Sequence, residues 1–235
     1  GTMWGQPASA IQPDGRFVAR LDEHAQIVWF AVFPGVYDPS IASDEDWLVV
    51  AATTRHAFEV QGARFTPRHR NRDEPYVAIF NGDGRLTALH EAPWQYPHAR
   101  GYLRVQSGAI SFAQDGRSPS LWERSSLVAP FQRVELPCRL LQCVAEPVVI
   151  LKVGTLITLR SFDIDDAAKL ELVIVPKDTG APIALEAIDV PSSLSWFATA
   201  NVVAGEDEAV VFHAAETEKA PLVIQRVRVT LRPTH

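Results

Sequence analysis

Short runs of apolar residues, separated by Gly, Pro, Asn and Asp, dominate the chain and predict strands rather than helices. Residues 26–33 form a β-branched and aromatic run that a Pro-Gly pair ends. Residues 76–80 are apolar, lead into Asn81-Gly82-Asp83-Gly84 and resume as a strand pattern at residues 85–89. Because Asn-Gly and Asp-Gly accept the positive φ of tight turns, this segment predicts a β-hairpin.

The same pattern continues to the end of the chain. A second hairpin is predicted over residues 102–118, where apolar runs flank Ser107-Gly108 and Asp115-Gly116. About six further strand-like runs follow in the second half, at the spacing typical of sandwiches and barrels. The first covers residues 148–162, which predicts one long strand or a bent pair with Gly154 at the break.

Helical patterns are scarce. Residues 120–127 are compatible with one short helix, and alternating strand and helix units are absent. A doubly wound sheet, and a dinucleotide-binding role with it, is therefore disfavoured. We predict an all-β fold of β-sandwich or jelly-roll architecture, in which two packed antiparallel units cover residues 1–125 and 145–235. A proline-containing connection covers residues 126–144.

Three segments of the second half carry a resemblance to a known family. They are Val153-Gly154-Thr155-Leu156-Ile157-Thr158-Leu159, the charged-then-apolar run from Asp207 to Phe212, and the closing run from Pro221 to Val229. Together, over about residues 145–233, they resemble the galactose-binding-domain-like β-sandwiches, the jelly rolls of many carbohydrate-binding modules. The resemblance implies a sugar-binding fold. It carries over no ligand residue, because the binding loops of that fold vary freely.

Charge and termini narrow the function classes. The net charge of −6 argues against a general nucleic-acid binder, which is normally basic. No window of 18 apolar residues predicts a transmembrane helix, so we expect no membrane partner. No signal peptide pattern follows Met3, so a native start at Met3 predicts a cytoplasmic protein.

Two cysteines, Cys138 and Cys143, are five residues apart. If they lie on one strand, their odd spacing places the side chains on opposite faces. We therefore expect two ordinary thiols rather than a disulfide, and two cysteines do not complete a zinc site.

The segment richest in potential ligand contacts follows the first hairpin. Aromatic rings there could stack on a sugar while charged and imidazole groups hold its hydroxyls. The alternative is that the aromatic residues close the end of a sandwich and the polar groups are solvated. The candidate ligand-binding residues are His90, Glu91, Trp94, Tyr96, His98 and Arg100.

A second cluster is basic and suits an anionic group such as phosphate, sulfate or an acidic polysaccharide. Its candidate residues are Arg64, Arg68, Arg70 and Arg72. The alternative is a charged loop paired with the neighbouring Asp73 and Glu74. A third candidate is Asp163, Asp165 and Asp166, whose carboxylates could hold a structural calcium. No other cofactor is predicted.

Catalytic signatures such as Gly-x-Ser-x-Gly and His-Glu-x-x-His are absent. The leading hypothesis is therefore a non-catalytic binding module for a carbohydrate or another small polar ligand. One alternative is a metal-dependent hydrolase or oxygenase built from histidines and acids; another is a structural or assembly protein, as a homo-oligomer or within a larger protein. Candidate metal ligands are His56, His69, His90 and His98 with Asp73 or Glu91.

Overall fold

Every regular element of the described chain is a β-strand, and neighbouring strands pair antiparallel, which confirms the predicted all-β fold. None of the described residues forms a helix that could cross a membrane. The chain divides into two compact units, Gly1–His98 and Ala99–His235. The computed structural model describes residues 2–3, 6–7, 16–33, 36–69, 71–94, 101–115, 118–138, 142–162, 168–177, 181–189, 197–205, 208–215 and 223–228.

The described residues of unit 1 form a four-stranded sheet and three two-stranded ribbons. The sheet has the order β10-β9-β6-β5, and the ribbons are β1-β2, β3-β4 and β7-β8. The strands are β1 (Thr2–Met3), β2 (Gln6–Pro7), β3 (Arg16–Leu21), β4 (Ile27–Phe33), β5 (Val36–Ser43), β6 (Trp47–Thr54), β7 (Phe58–Val60), β8 (Ala63–Phe65), β9 (Glu74–Asn81) and β10 (Leu86–Glu91).

Strands β6 and β9 form the centre of unit 1. Each is paired on both sides, and their register runs from Trp47 opposite Asn81 to Thr54 opposite Glu74. Residues 76–80 are all buried, which explains why this run is apolar without the alternation of a half-exposed strand. One face of the sheet packs on the β3-β4 and β7-β8 ribbons.

Aromatic rings fill the space between this face and the ribbons. Tyr76 lies against Phe58 and Phe65, with ring centroids 4.9 and 5.4 Å away, and against Phe33 at 6.2 Å. Its hydroxyl has no hydrogen-bond partner among the described residues, and burial raises the pKa of Tyr76. The ring is therefore held by packing, and its hydroxyl stays protonated.

The predicted hairpin at residues 76–89 is confirmed as β9 and β10. Gly84 closes the turn with a φ of 77°, and its N–H donates to Asn81 O at 2.9 Å. A Cβ at Gly84 would lie 2.3 Å from Cγ of Trp29, so glycine is needed for both the backbone conformation and the ring that packs on it.

In the part of unit 2 that the structure describes, there are two four-stranded sheets and one three-stranded sheet. Each joins strands in sequence order: β11-β12-β13-β14, β15-β16-β17-β18 and β19-β20-β21. The strands are β11 (Gly101–Gln106), β12 (Ala109–Gln114), β13 (Ser120–Arg124), β14 (Gln132–Glu135), β15 (Gln142–Ile150), β16 (Gly154–Phe162), β17 (Ala168–Pro176), β18 (Ile183–Asp189), β19 (Phe197–Gly205), β20 (Glu208–Ala215) and β21 (Val223–Arg228).

The two four-stranded sheets of unit 2 share one hydrophobic core. Ala113 and Leu121 of the first sheet pack with Ile157, Leu159 and Val173 of the second. The second predicted hairpin is confirmed as β11 and β12, with positive φ at both residues of its Ser107-Gly108 turn. The run 148–162 is a bent pair rather than one strand, because β15 ends at Ile150 and β16 starts at Gly154. A Cβ at Gly154 would meet Val175 O at 2.3 Å.

For the middle of the chain, one expectation is wrong and the predicted domain boundaries stay a prediction. The short helix at 120–127 is wrong: Ser120–Arg124 is strand β13, paired on both sides, with Leu121 buried and Trp122 half-exposed in strand alternation. The predicted connection at 126–144 contains β14, and the division between compact units falls after His98.

The jelly-roll expectation concerns strand order. In a jelly roll, strands distant in sequence pair with each other. Between residues 142 and 228, the described pairings all join strands that follow one another in sequence. The resemblance to galactose-binding-like domains therefore stays a prediction that the described pairings do not support.

The expectation of two free thiols is wrong, because Cys138 and Cys143 form a disulfide with Cα atoms 6.0 Å apart. The expectation assumed one strand, but β15 starts at Gln142, so Cys138 precedes it. Cys143 is fully buried in the core shared by the two sheets. The bond thus fixes the point where the chain leaves the first sheet and enters the second. The cytoplasmic expectation stays a prediction.

A polar cluster also links these two sheets. The Thr155 hydroxyl of β16 donates to Glu123 Oε1 of β13, and Ser111 Oγ of β12 donates to the same oxygen at 3.2 Å. Ser111 and Thr155 are each 1% exposed. Burial raises the pKa of Glu123, and this effect outweighs the two hydroxyl bonds and the charge of Lys177, which lower it.

Reduction of the disulfide should destabilise unit 2. A loop this short restricts the unfolded chain by about 2 kcal/mol, so reductant should lower the free energy of unfolding by that amount. Urea unfolding with and without dithiothreitol measures it. A Cys138→Ser, Cys143→Ser double variant should match the reduced protein and be insensitive to reductant. Equal stability of the wild type in both conditions would contradict the bond's role.

Glu123 should make unit 2 less stable as the pH rises. The unfolded chain loses this proton at the ordinary carboxyl pKa, whereas the folded chain keeps it to a higher pH. Stability therefore falls between these two values and stays low above the folded pKa. Glu123→Gln keeps an acceptor oxygen without the charge, so it should flatten this fall and stabilise unit 2 at high pH. Urea midpoints measured from pH 4 to 9 that fall equally in both proteins would refute this.

Candidate functional site

The sequence-predicted ligand residues are only partly described. His90 and Glu91 lie at the end of β10, where His90 Nδ1 is 3.0 Å from Glu91 O. Trp94 is 2% exposed, so its ring offers almost no surface for stacking. Tyr96, His98 and Arg100 lie outside the described residues.

The basic cluster lies beside the predicted ligand segment and is largely paired with acids. Arg68 Nη2 is 2.6 Å from Glu91 Oε2, so one ion pair joins the two candidate clusters. Arg55 makes a two-pronged contact with Asp73, at 2.7 Å from Nε and 3.0 Å from Nη2. Asp73 of the charged loop thus pairs with Arg55, whereas the Arg68 side chain pairs with Glu91, outside that loop. Arg64 and Arg72 are exposed, and Arg70 lies outside the described residues.

Glu74 is the most buried acid of this cluster, with a side chain 9% exposed. Its carboxylate accepts the backbone N–H of Arg68 and of His69, each at 2.6 Å, and is 2.7 Å from His69 Nδ1. Burial alone would raise the pKa of Glu74, but these hydrogen bonds and the imidazole together hold it below its usual range. An ionised carboxylate only accepts, so Nδ1 of His69 carries the hydrogen. The hydrogen bonds to Glu74 therefore hold the backbone of the loop before β9 in place.

The predicted metal sites find no support in the described residues. Asp163, Asp165 and Asp166 lie outside them. Within the described ranges, no three His, Cys, Asp or Glu side chains come together as metal ligands would. The calcium and histidine-cluster hypotheses thus stay predictions.

A cleft lies at the opposite end of the β6-β9 pair, and the sequence did not single it out. Its volume is about 280 Å³. It is bounded by the β3-β4 ribbon, the turn between β5 and β6, and the turn after β9. The lining residues are Ala19, Arg20, Trp29, Ser43, Asp44, Glu45, Trp47, Leu48, Asn81 and Gly82.

The turn between β5 and β6 fixes one wall of this cleft. Asp44 Oδ1 accepts the backbone N–H of Asp46 at 3.0 Å and of Trp47 at 2.8 Å, and Asp44 N donates to Trp47 O at 3.0 Å. Trp47 is half-buried and starts β6 directly after these bonds. Its backbone is therefore held in place before any ligand arrives.

The opposite wall is held by aromatic packing. Trp29 stacks on Phe80, with centroids 5.6 Å apart and planes at 24°, and packs over Gly84. Gln61 steadies the same turn, since its Nε2 donates to Gly84 O at 2.6 Å and its Oε1 accepts Leu86 N–H at 2.8 Å. Through these contacts the Trp29 indole forms an apolar wall of the cleft, next to the hydrogen-bonding groups at the edge of the cleft.

The sequence predicts the turns that bound this cleft but not the cleft itself. The turn at Asn81–Gly84 was predicted, and Asp44-Glu45-Asp46 before Trp47 is a second turn signal. That Trp29 and Trp47 line one cleft follows from strand order and register, which local patterns do not contain.

No protein-family model matches the chain, and no curated protein matches it significantly in sequence.

Substitutions of the buried Glu74 and of its half-buried neighbour Asp73 should have different effects on stability. Glu74→Gln removes the charge that holds two backbone N–H groups, so unit 1 should lose about 2 kcal/mol at pH 7. Asp73→Asn removes a surface pair and should cost under ~1 kcal/mol. The Glu74 contribution is present above the ordinary carboxyl pKa and is lost as the pH falls through the lower folded value. Chemical unfolding at pH 7 and pH 3 tests both; equal losses for the two variants would contradict this account.

Proposed function

We propose that this protein is a non-catalytic carbohydrate-binding module whose ligand occupies the cleft lined by Trp29 and Trp47. The observation that carries the proposal is the combination of an indole wall with hydrogen-bonding groups in one depression. Small-molecule sites are mostly apolar with a few convergent polar groups, and their volumes start near ~300 Å³. The cleft is at this lower limit, which suits one sugar ring better than a long stretch of chain.

The chemistry of a sugar fits these walls. The C–H face of a pyranose packs on an aromatic ring, and its hydroxyls both donate and accept. In this arrangement Trp47 supplies the ring. The Asn81 amide, the Ser43 hydroxyl and the Glu45 carboxylate supply donors and acceptors at the rim.

This proposal keeps the ligand class suggested by the sequence and moves the site. His90 and Glu91 lie at the other end of the central strands, and the buried ring of Trp94 is unsuited to stacking. The segment holding Tyr96, His98 and Arg100 stays an untested second candidate. No specific observation favours the metal-dependent enzyme or the assembly protein over the binding module.

Trp47→Ala should weaken binding at least tenfold, because the variant removes the stacking surface but not the rim. Truncation of a hot-spot aromatic residue in a binding site costs about 2 kcal/mol or more, which is more than a tenfold loss of affinity. Isothermal titration calorimetry against polysaccharides selected on a glycan array measures this.

Trp122→Ala is the matched control, because that half-exposed indole lies in unit 2. It should bind as the wild type does. His90→Ala, which changes the alternative segment, should also leave affinity unchanged. If the wild type binds no glycan, or Trp47→Ala binds as tightly as the wild type, the proposal is wrong.

A further inference from the structure

Arg20 is the charged side chain that the β3-β4 ribbon contributes to the cleft. It lies directly opposite Trp29 in the antiparallel register. Directly opposed residues share one face of a ribbon, so Arg20 and Trp29 stand side by side. Val18, two residues earlier on the same face, is buried in the core of unit 1. Strand alternation therefore places Arg20 at the point where this face leaves the core and enters the cleft.

The guanidinium of Arg20 is held by a hydrogen bond, but no described acid forms an ion pair with it. Its Nη1 donates to Gly82 O, in the turn after β9. Among the described residues Arg20 makes no ion pair, although its side chain is exposed. Arg55 and Arg68, at the other end of the sheet, both pair with carboxylates. Arg20 thus keeps its full charge and its remaining N–H donors for a ligand.

The acidic side chains of the cleft do not neutralise Arg20. Asp44 Oδ1 is occupied by two backbone N–H groups of its own turn. Glu45 is exposed, and no ion pair joins it to Arg20. Its repulsion of an anionic ligand acts through solvent and is screened, whereas direct two-pronged contact with a guanidinium is strong and geometrically specific.

We propose that Arg20 selects sugars that carry a carboxylate, so that the ligand class of the cleft is uronic-acid glycans. This inference rests on the proposed carbohydrate-binding function. The planar guanidinium matches the planar carboxylate of a uronate, and its bond to Gly82 O orients it before binding, which lowers the entropy lost on association. Trp47 packs on the ring that bears the carboxylate.

Chemically matched glycans test this inference. Polygalacturonate and hyaluronan are compared with their carboxyl-reduced forms, which keep each linkage and replace the carboxylate by a hydroxymethyl group. Titration calorimetry with the full chain should give at least tenfold tighter binding of an acidic form than of its reduced form. That preference should shrink as salt is raised, because the contact is between charges.

Variants at Arg20 and Glu45 separate charge from shape. Arg20→Gln should abolish the preference while leaving binding of the reduced glycan close to wild type. Arg20→Lys keeps the charge without the planar fork, so it should retain a small part of the preference. Glu45→Gln removes a nearby negative charge and should strengthen binding of the acidic form. Thermal unfolding of each variant confirms that unit 1 remains folded.

The outcomes distinguish the role of Arg20 from the carbohydrate-binding proposal. Equal affinity of the wild type for acidic and reduced glycans, or a preference that survives Arg20→Gln in a folded variant, overturns the role of Arg20 and leaves the carbohydrate proposal standing. Binding of neither form, together with no binding on a glycan array, overturns both. Acid preference lost in Arg20→Gln, with loss of both ligands in Trp47→Ala, supports both.

Discussion

The antiparallel pairing of β6 with β9 is the constraint on which the rest of unit 1 depends. Backbone N–H and C=O groups buried on both faces of a sheet need partners, and these two central strands find them in each other and in their outer neighbours. The side chains in the middle of both strands are apolar and buried. Polar chemistry is therefore displaced to the two ends of the pair, where the chain turns.

Charged side chains are arranged differently at the two ends of the β6-β9 pair. At the Thr54–Glu74 end, acids and bases neutralise one another: Glu74 receives backbone and imidazole hydrogen bonds, and Arg68 pairs with Glu91. At the Trp47–Asn81 end, the Asp44 carboxylate accepts backbone N–H groups of its own turn, while Arg20, beside two indoles, makes no ion pair with any described residue. The first end is suited to holding loops in place, and the second is the end at which we propose that a ligand binds.

Much of the fold could be predicted from the sequence, because strands and tight turns leave local signals. Asn81–Gly84 and Ser107-Gly108 mark turns by residue types that accept positive φ, and both hairpins form there. The strand at Ser120–Arg124 was harder to predict, because its apolar pattern is short. It forms a strand because it pairs with a neighbouring strand on each side. The Cys138–Cys143 bond was missed because spacing on one strand was assumed, whereas the chain passes between two sheets at this point.

The site was harder to predict than the fold, because it depends on register. Trp29, Trp47 and Asn81 are distant in sequence, and each alone is compatible with an ordinary core or turn residue. Trp94 shows the converse, since an aromatic residue in a polar loop suggested a ligand and proved to be buried. Heteronuclear NMR of the ¹⁵N-labelled chain, titrated with polygalacturonate, addresses the central claim most directly. We expect saturable shifts at Trp47, Asn81, Gly82 and the Arg20 guanidinium, with none at Arg68 or His90; shifts confined to the Arg68–His90 end would contradict the account.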